Sequence, residues 1–260
     1  MADNCLKLTV AYDGTAFRGW ARQPGERTVE GSLREALAAV CRRYDRLAVA
    51  GRTDAGVHAL ANVVSVEIEG GPPCEAMPES LNAQLPADVA VIGAEPAPEG
   101  FHARHSARRR SYRYRIWRRR GRWPFEANRS LWYPRTLDLQ ALQASAGALV
   151  GEHDFRAFTP TDTQHDVFVR RVEEARWHDR GDTIEFEITA DSFLRHMVRT
   201  LVGTMLERSP DELQSLLGGA PRSSAGSTAP ACGLYLVGVG YDDSHAAPAT
   251  DPLPRPEEAL

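Results

Sequence analysis

The amino-acid sequence predicts an α+β protein made of two consecutive βαββαβ halves. Short apolar runs with period-two alternation recur between stretches of helical spacing, and the same element order is read twice along the chain. At 260 residues, with 42% hydrophobic and 25% charged residues, the chain has enough apolar material for one large domain or two small ones.

In the first half, Leu6, Leu8, Val10 and Tyr12 alternate across residues 5–12, a half-buried strand ending in the turn Asp13-Gly14. Thr28 caps a helix whose apolar positions Val29, Leu33, Leu37 and Val40 recur at helical spacing. Residues 47–50 and 62–68 read as strands. A second helix over 75–85 is stopped by Pro86, and 89–93 is a strand.

The second half starts with a strand over 112–117. A helix over 137–150 is closed by Gly151, and a hairpin 167–177/183–189 turns about "DRGD". A strong helix is expected over 192–207, a shorter one over 211–217, and a closing strand over 233–241. Two ferredoxin-like halves are the economical architecture, 1–105 and 106–242, with a central, mostly antiparallel sheet. The Pro- and acid-rich tail 243–260 reads as disordered.

No apolar run approaches a membrane span, and the N-terminus has no signal pattern, so the expectation is a cytoplasmic protein without a membrane partner. Cys5, Cys41, Cys74 and Cys232 lie far apart, with neither zinc-ligand nor disulfide-framework spacing. Net charge is −4, yet Arg104–Arg122 contains ten arginines and no acid. Lys7 is the only lysine, so arginine usage is partly compositional; the exclusion of acids from this one segment is not. A basic stripe keeps its local field because salt screens charges beyond about 8 Å.

The most chemically loaded stretch is "AGRTDAGVHA", residues 50–59. Its glycines allow close approach of backbone to a ligand. Asp54 stands on a stiff loop at a strand end, placed to act as a nucleophile or base. A nearby cation such as Arg52 keeps a carboxylate ionised. Taken alone, the turn reads more simply as Asp54 capping a loop with Arg52 paired to it. His58, with no second ligand at metal spacing, reads as a packed histidine.

"YDGTAFRGW" (12–20), "GRTDAGVHA" (51–59), "LNAQLPADV" (81–89), "FHARHSA" (101–107), "YRY" (112–114), "FLRHMVRTLVG" (193–203) and "GLYLVGV" (233–239) follow in this order. Over residues 5–241 the chain resembles the tRNA pseudouridine synthase A family. The resemblance implies a pseudouridine synthase fold with a cleft between the halves. It also implies isomerisation of uridine to pseudouridine at positions 38–40 of the tRNA anticodon stem-loop, no cofactor or metal, and a homodimer.

By resemblance, Asp54 is the catalytic aspartate and Arg52 helps displace the target base. Tyr112 stacks on the uracil, Arg199 pairs with the aspartate, and Leu234 packs near the uracil. From pattern alone Tyr112 and Tyr114 share one strand face and are not separable, and Arg199 reads as a snorkelling residue beside an apolar stripe. Arg104, Arg108, Arg109, Arg110 and Arg113, interleaved with aromatics, suit phosphate contacts. Ala21, Glu30 and Asn62 depart from the family pattern, which has glutamine in these places, and residues 158–171 match it poorly. The rival readings are an RNA-binding protein without catalysis and a carboxylate glycoside hydrolase. The latter needs a second carboxylate, and none stands out.

Overall fold

The computed structural model describes residues 5–163 and 165–241; the tail expected to be disordered lies outside them. The described chain forms two compact units. One runs to Arg108 and resumes at Tyr235, and the other is Arg109–Leu234. The first unit is therefore discontinuous, where the sequence suggested two consecutive halves. Each is an α+β unit with a mostly antiparallel sheet.

The first unit has the order β1 (Cys5–Tyr12), α1 (Val29–Val40), β2 (Arg43–Val49), β3 (His58–Glu69), α2 (Met77–Asn82) and β4 (Val89–Pro96). β1 lies between β4 and β3, antiparallel to both. The other edge of β3 is shared: β2 pairs with Val64–Glu69, and β10 (Leu234–Gly240) runs parallel beside His58 and Ala59. The alternation read in β1 is realised, with Leu6, Leu8, Val10 and Tyr12 all buried. Thr28 caps α1 by accepting the Gly31 amide, and Val29, Leu33 and Leu37 are fully buried along one stripe. The strand expected from Asn62 begins at His58, because the preceding loop delivers the chain straight into the ladder.

The second unit contains β5 (Arg109–Trp117), β6 (Leu131–Trp132), α3 (Leu139–Ala148), β7 (Gly151–Asp154), β8 (Val169–Arg180), β9 (Thr183–Ala190), α4 (Met197–Glu207) and α5 (Pro210–Leu216). Its sheet runs β5-β9-β8-β7, with the short β6 parallel to β5. One face is apolar: Tyr114, Ile116, Phe186, Ile188, Ala175 and Trp177 are buried. α3 is capped by Asp138, which accepts the Gln140 and Ala141 amides. The helix expected over 192–207 begins only at Met197, because His196 takes the left-handed conformation (φ 61°). α5 carries a capping box between Ser209 and Glu212. Among the described residues no helix is long and apolar enough to cross a membrane.

The opposite face of this sheet carries charge although it is buried. Arg113 Nε lies 2.9 Å from Glu187 Oε1 and 3.7 Å from Glu185 Oε2. Arg115 Nε lies 3.2 Å from Glu185 Oε1, and its terminal nitrogen 3.1 Å from Glu126 Oε1. Arg180 adds a third cation to Glu185 at 3.6 Å. Arg113, Arg115 and Glu185 are each at most 6% exposed, so each charge is tolerable only with its partners. Replacing Glu185 by alanine leaves three arginines short of their shared carboxylate. The expected loss is about 3–5 kcal/mol of stability, read by urea unfolding of the second unit's tryptophans; a loss below about 1 kcal/mol contradicts this account.

Candidate active site

The Asp54 loop, residues 51–57, joins β2 to β3, and the "YDGTAFRGW" segment after β1 folds against it. A β-carbon on Gly14 would lie 2.0 Å from the Val57 carbonyl oxygen, and one on Gly19 2.8 Å from that of Thr53. Only glycine permits this approach; Gly19 also takes φ +95° and Gly56 φ +78°. Backbone bonds cross the contact: Trp20 donates to Thr53 O at 3.0 Å and Gly56 to Phe17 O at 3.3 Å. Val57 donates to Asp54 O at 3.2 Å, closing a turn around the aspartate itself.

Buried polar side chains complete the clamp. Asn62 Nδ2 donates to Gly51 O at 2.9 Å and to the Tyr12 hydroxyl at 3.2 Å. That hydroxyl also shares a hydrogen bond with Thr53 Oγ1 at 2.8 Å. Burial pushes the Tyr12 phenol up to about 12, against the opposing effect of its bonds to Thr53 and Asn62. His58 is 2% exposed; its Nδ1 accepts the Gly14 amide at 3.0 Å and its ring stacks on Tyr235. It is a packed histidine, as its isolation in sequence suggested. No group of three or more metal-capable side chains occurs among the described residues.

Asp54 is half-buried, whereas Arg52 is exposed. Two of the three family departures have structural work. Asn62 is the clamp just described, and Glu30 accepts the Arg22 amide while pairing with Arg34. Nothing in the structure explains Ala21.

In the second unit, the two tyrosines of "YRY" separate clearly. Tyr114 is fully buried, and its hydroxyl donates to Pro230 O at 2.8 Å. Burial, with a smaller effect from Cys232, holds its phenol far above the ordinary tyrosine range. Tyr112 keeps exposed surface, and Phe193 meets its ring edge-on at 4.9 Å. The sequence offered no signal for Phe193 beyond its place in "FLRHMVR".

Arg199 is half-buried on α4, and its Nε donates to Ala229 O at 2.8 Å. Ala229 belongs to a strap, residues 225–233, that lies against α4 because Gly203 lets Ser227 O approach where a β-carbon would stand 1.9 Å away. Arg222 ties the strap by donating to Gly226 O and Thr228 Oγ1. The strap leads through Gly233, which packs on the Tyr114 ring, into buried Leu234.

The arginines expected at phosphates divide. Arg104 and Arg108 are exposed, Arg109 lies 3.6 Å from Glu173, and Arg110 donates to Asp191 O at 2.8 Å. Arg113 is 6% exposed and bound by Glu187 and Glu185, so its charge serves the sheet and it leaves the phosphate set. Strand alternation puts Arg113 on the charged buried face, which a basic run in sequence does not reveal.

The α+β scaffold thus presents a half-buried aspartate on a glycine-locked loop. The family model described as tRNA pseudouridine synthase matches residues 8–106 and 146–242. A "tRNA pseudouridine synthase A" from Bacillus subtilis is 40% identical over 245 residues, covering 92% of this chain and 99% of its own. Its namesake from Thermus thermophilus is 41% identical over 252 residues, covering 94% and 99%. The chain belongs to the tRNA pseudouridine synthase family, and is thus an RNA-modifying isomerase.

The clamp yields a measurable expectation. Thr53→Val removes a hydrogen-bond partner of the buried Tyr12 hydroxyl and costs about 1–3 kcal/mol. Tyr12→Phe in the same molecule removes the hydroxyl left short of that partner and restores part of that loss. A double-mutant cycle that shows simple additivity refutes the hydrogen bond as the link between β1 and the loop.

Proposed function

We propose that this protein isomerises uridine to pseudouridine at positions 38 to 40 of the tRNA anticodon stem-loop, acting in the cytoplasm as a homodimer. The observation that supports it most is the Asp54 loop, a partly exposed carboxylate on a backbone fixed from both sides by glycine contacts. In the reaction, the N1–C1′ bond of uridine breaks, the uracil turns, and a C5–C1′ bond forms. The C5 proton is released to solvent and N1 gains one, so substrate and product are isomers and no redox partner is required. Asp54 initiates the exchange, by adding to C1′ or C6 or by taking a proton from C2′; all three routes need an ionised carboxylate at the nucleoside.

A uridine inside a stem is first extruded, at a cost of a few kcal/mol. Arg52, exposed beside Asp54, takes the space the base leaves. Tyr112 stacks on the turned-out uracil, Leu234 packs against it, and Arg199 pairs with the Asp54 carboxylate. Arg104, Arg108, Arg109 and Arg110 meet stem phosphates, which position the RNA without reading its sequence. The rival reading, a binding module without catalysis, predicts retained tRNA affinity with no chemistry.

Tritium release from tRNA labelled at uridine C5 decides between them. Wild-type protein is expected to release label, and Asp54→Asn to lose roughly three orders of magnitude or more of the rate while binding tRNA as before. Wild type that binds without releasing label is a binding module. Arg52→Ala is expected to lower kcat/KM by roughly 10–100-fold on a paired target. Replacing the opposing nucleotide so that the uridine is already unpaired should restore most of that loss, because extrusion of a mismatched base is cheaper. Equal defects on both substrates would remove Arg52 from base displacement.

A further inference from the structure

The connection between β5 and α3 carries three large aromatic side chains facing solvent, Trp123 (48% exposed), Phe125 (73%) and Trp132 (38%). Arg119, Arg120, Arg122, Arg129 and Arg135 are exposed in the same segment. The only acid between Arg118 and Arg135 is Glu126, which is 8% exposed and bound to Arg115. Of the arginines, Arg118 and Arg119 are neutralised locally by Asp179 and Asp182. Arg122 lies 4.6 Å over the Trp132 ring, and Arg135 5.6 Å over Tyr133.

The segment is anchored. Trp117 Nε1 donates to Gly121 O at 3.0 Å, Trp132 Nε1 to Arg119 O at 3.1 Å, and the Tyr133 amide to Trp117 O at 2.8 Å. Arg115 grips Glu126 from the sheet below. The aromatic rings are therefore held out on a fixed frame, and little ordering remains to be done on binding. Trp123 and Phe125 sit 5.6 Å apart as a tilted pair.

Rigid exposed rings among cations are the chemistry of single-stranded nucleic acid, where bases stack and phosphates meet arginine. A second copy of the chain fits poorly. A two-fold contact would set this face against itself, opposing arginine with arginine and offering no exposed acid from the segment.

We propose that Arg118–Arg135 is a second RNA-binding surface, where Trp123, Phe125 and Trp132 stack on unpaired bases of the tRNA while Arg120, Arg122 and Arg135 meet its phosphates. The proposal rests on the tRNA reading above. Trp117 lies five residues along β5 from Tyr112, ~17 Å of strand, so this surface grips RNA away from the reacting base.

The test uses full-length chains carrying W123A/F125A or R120A/R122A, all four positions being exposed. An unmodified tRNA transcript serves as the binding probe, the labelled one as substrate, and sedimentation reports assembly. The aromatic pair should raise Kd and KM about tenfold or more, with kcat within about twofold and the salt slope unchanged. The arginine pair should also raise Kd and lower the salt slope by about 1.4. Both variants binding tRNA within about twofold of wild type overturns the proposal, whatever kcat does. So does an altered sedimentation coefficient, which would make the face a protein contact. If wild type releases no tritium, the isomerase reading fails, while the Kd comparison still decides this surface.

Discussion

The Asp54 loop depends on two backbone carbonyls being approached more closely than any β-carbon allows. Gly14 lies against Val57 O and Gly19 against Thr53 O, and these two carbonyls bracket the aspartate in sequence. Ordering a loop costs about 1–2 kcal/mol per residue in backbone entropy. Here the opposing contributions are the crossing bonds from Trp20 and Gly56, the Asn62 amide on Gly51 O, and burial of Trp20, Phe17 and Val57 around them. The backbone that carries the carboxylate is thereby fixed before any substrate arrives.

The second unit uses the same device on a different element. Gly203 admits Ser227 O, Gly226 lies against Thr204, and Gly233 admits the Tyr114 ring and Arg115 O. Three glycines thus hold one irregular strap against a helix and a strand, and the strap's Ala229 carbonyl orients Arg199. Tyr114, often interchangeable on paper with Tyr112, is committed to this scaffold through Pro230. That commitment is what leaves Tyr112 as the tyrosine of the pair with surface to offer.

Much of this was legible in the sequence, and the rest was hidden for identifiable reasons. Alternation found β1, helical spacing with Thr28 found α1, and the hairpin of β8 and β9 was marked by Gly181. The sequence pattern sets the α4 start too early because Phe193 and Leu194 continue the apolar spacing, while the break comes from a left-handed His196 that no propensity signals. β7 carries no strand signal, since Gly151–Asp154 lacks β-branched residues and is held by pairing with β8. Asp54 stood out through its glycines. Its supports did not, because Tyr12, Asn62 and Gly14 come from other elements and act through contacts that only the fold creates.

The arginine stripe shows how one composition divides by geometry. Along β5, alternation sends Arg113 and Arg115 to a buried face where Glu185, Glu187 and Glu126 neutralise them. Before the strand and after it, with alternation no longer imposed, Arg104, Arg108, Arg120 and Arg122 reach solvent. A chain of net charge −4 can therefore present cations at both ends of a strand whose buried arginines, Arg113 and Arg115, are paired with glutamates of neighbouring elements. The two units are thus stiffened by different means, the Asp54 loop by glycine contacts and β5 by buried ion pairs, and in each the fixed element is set before any partner is met.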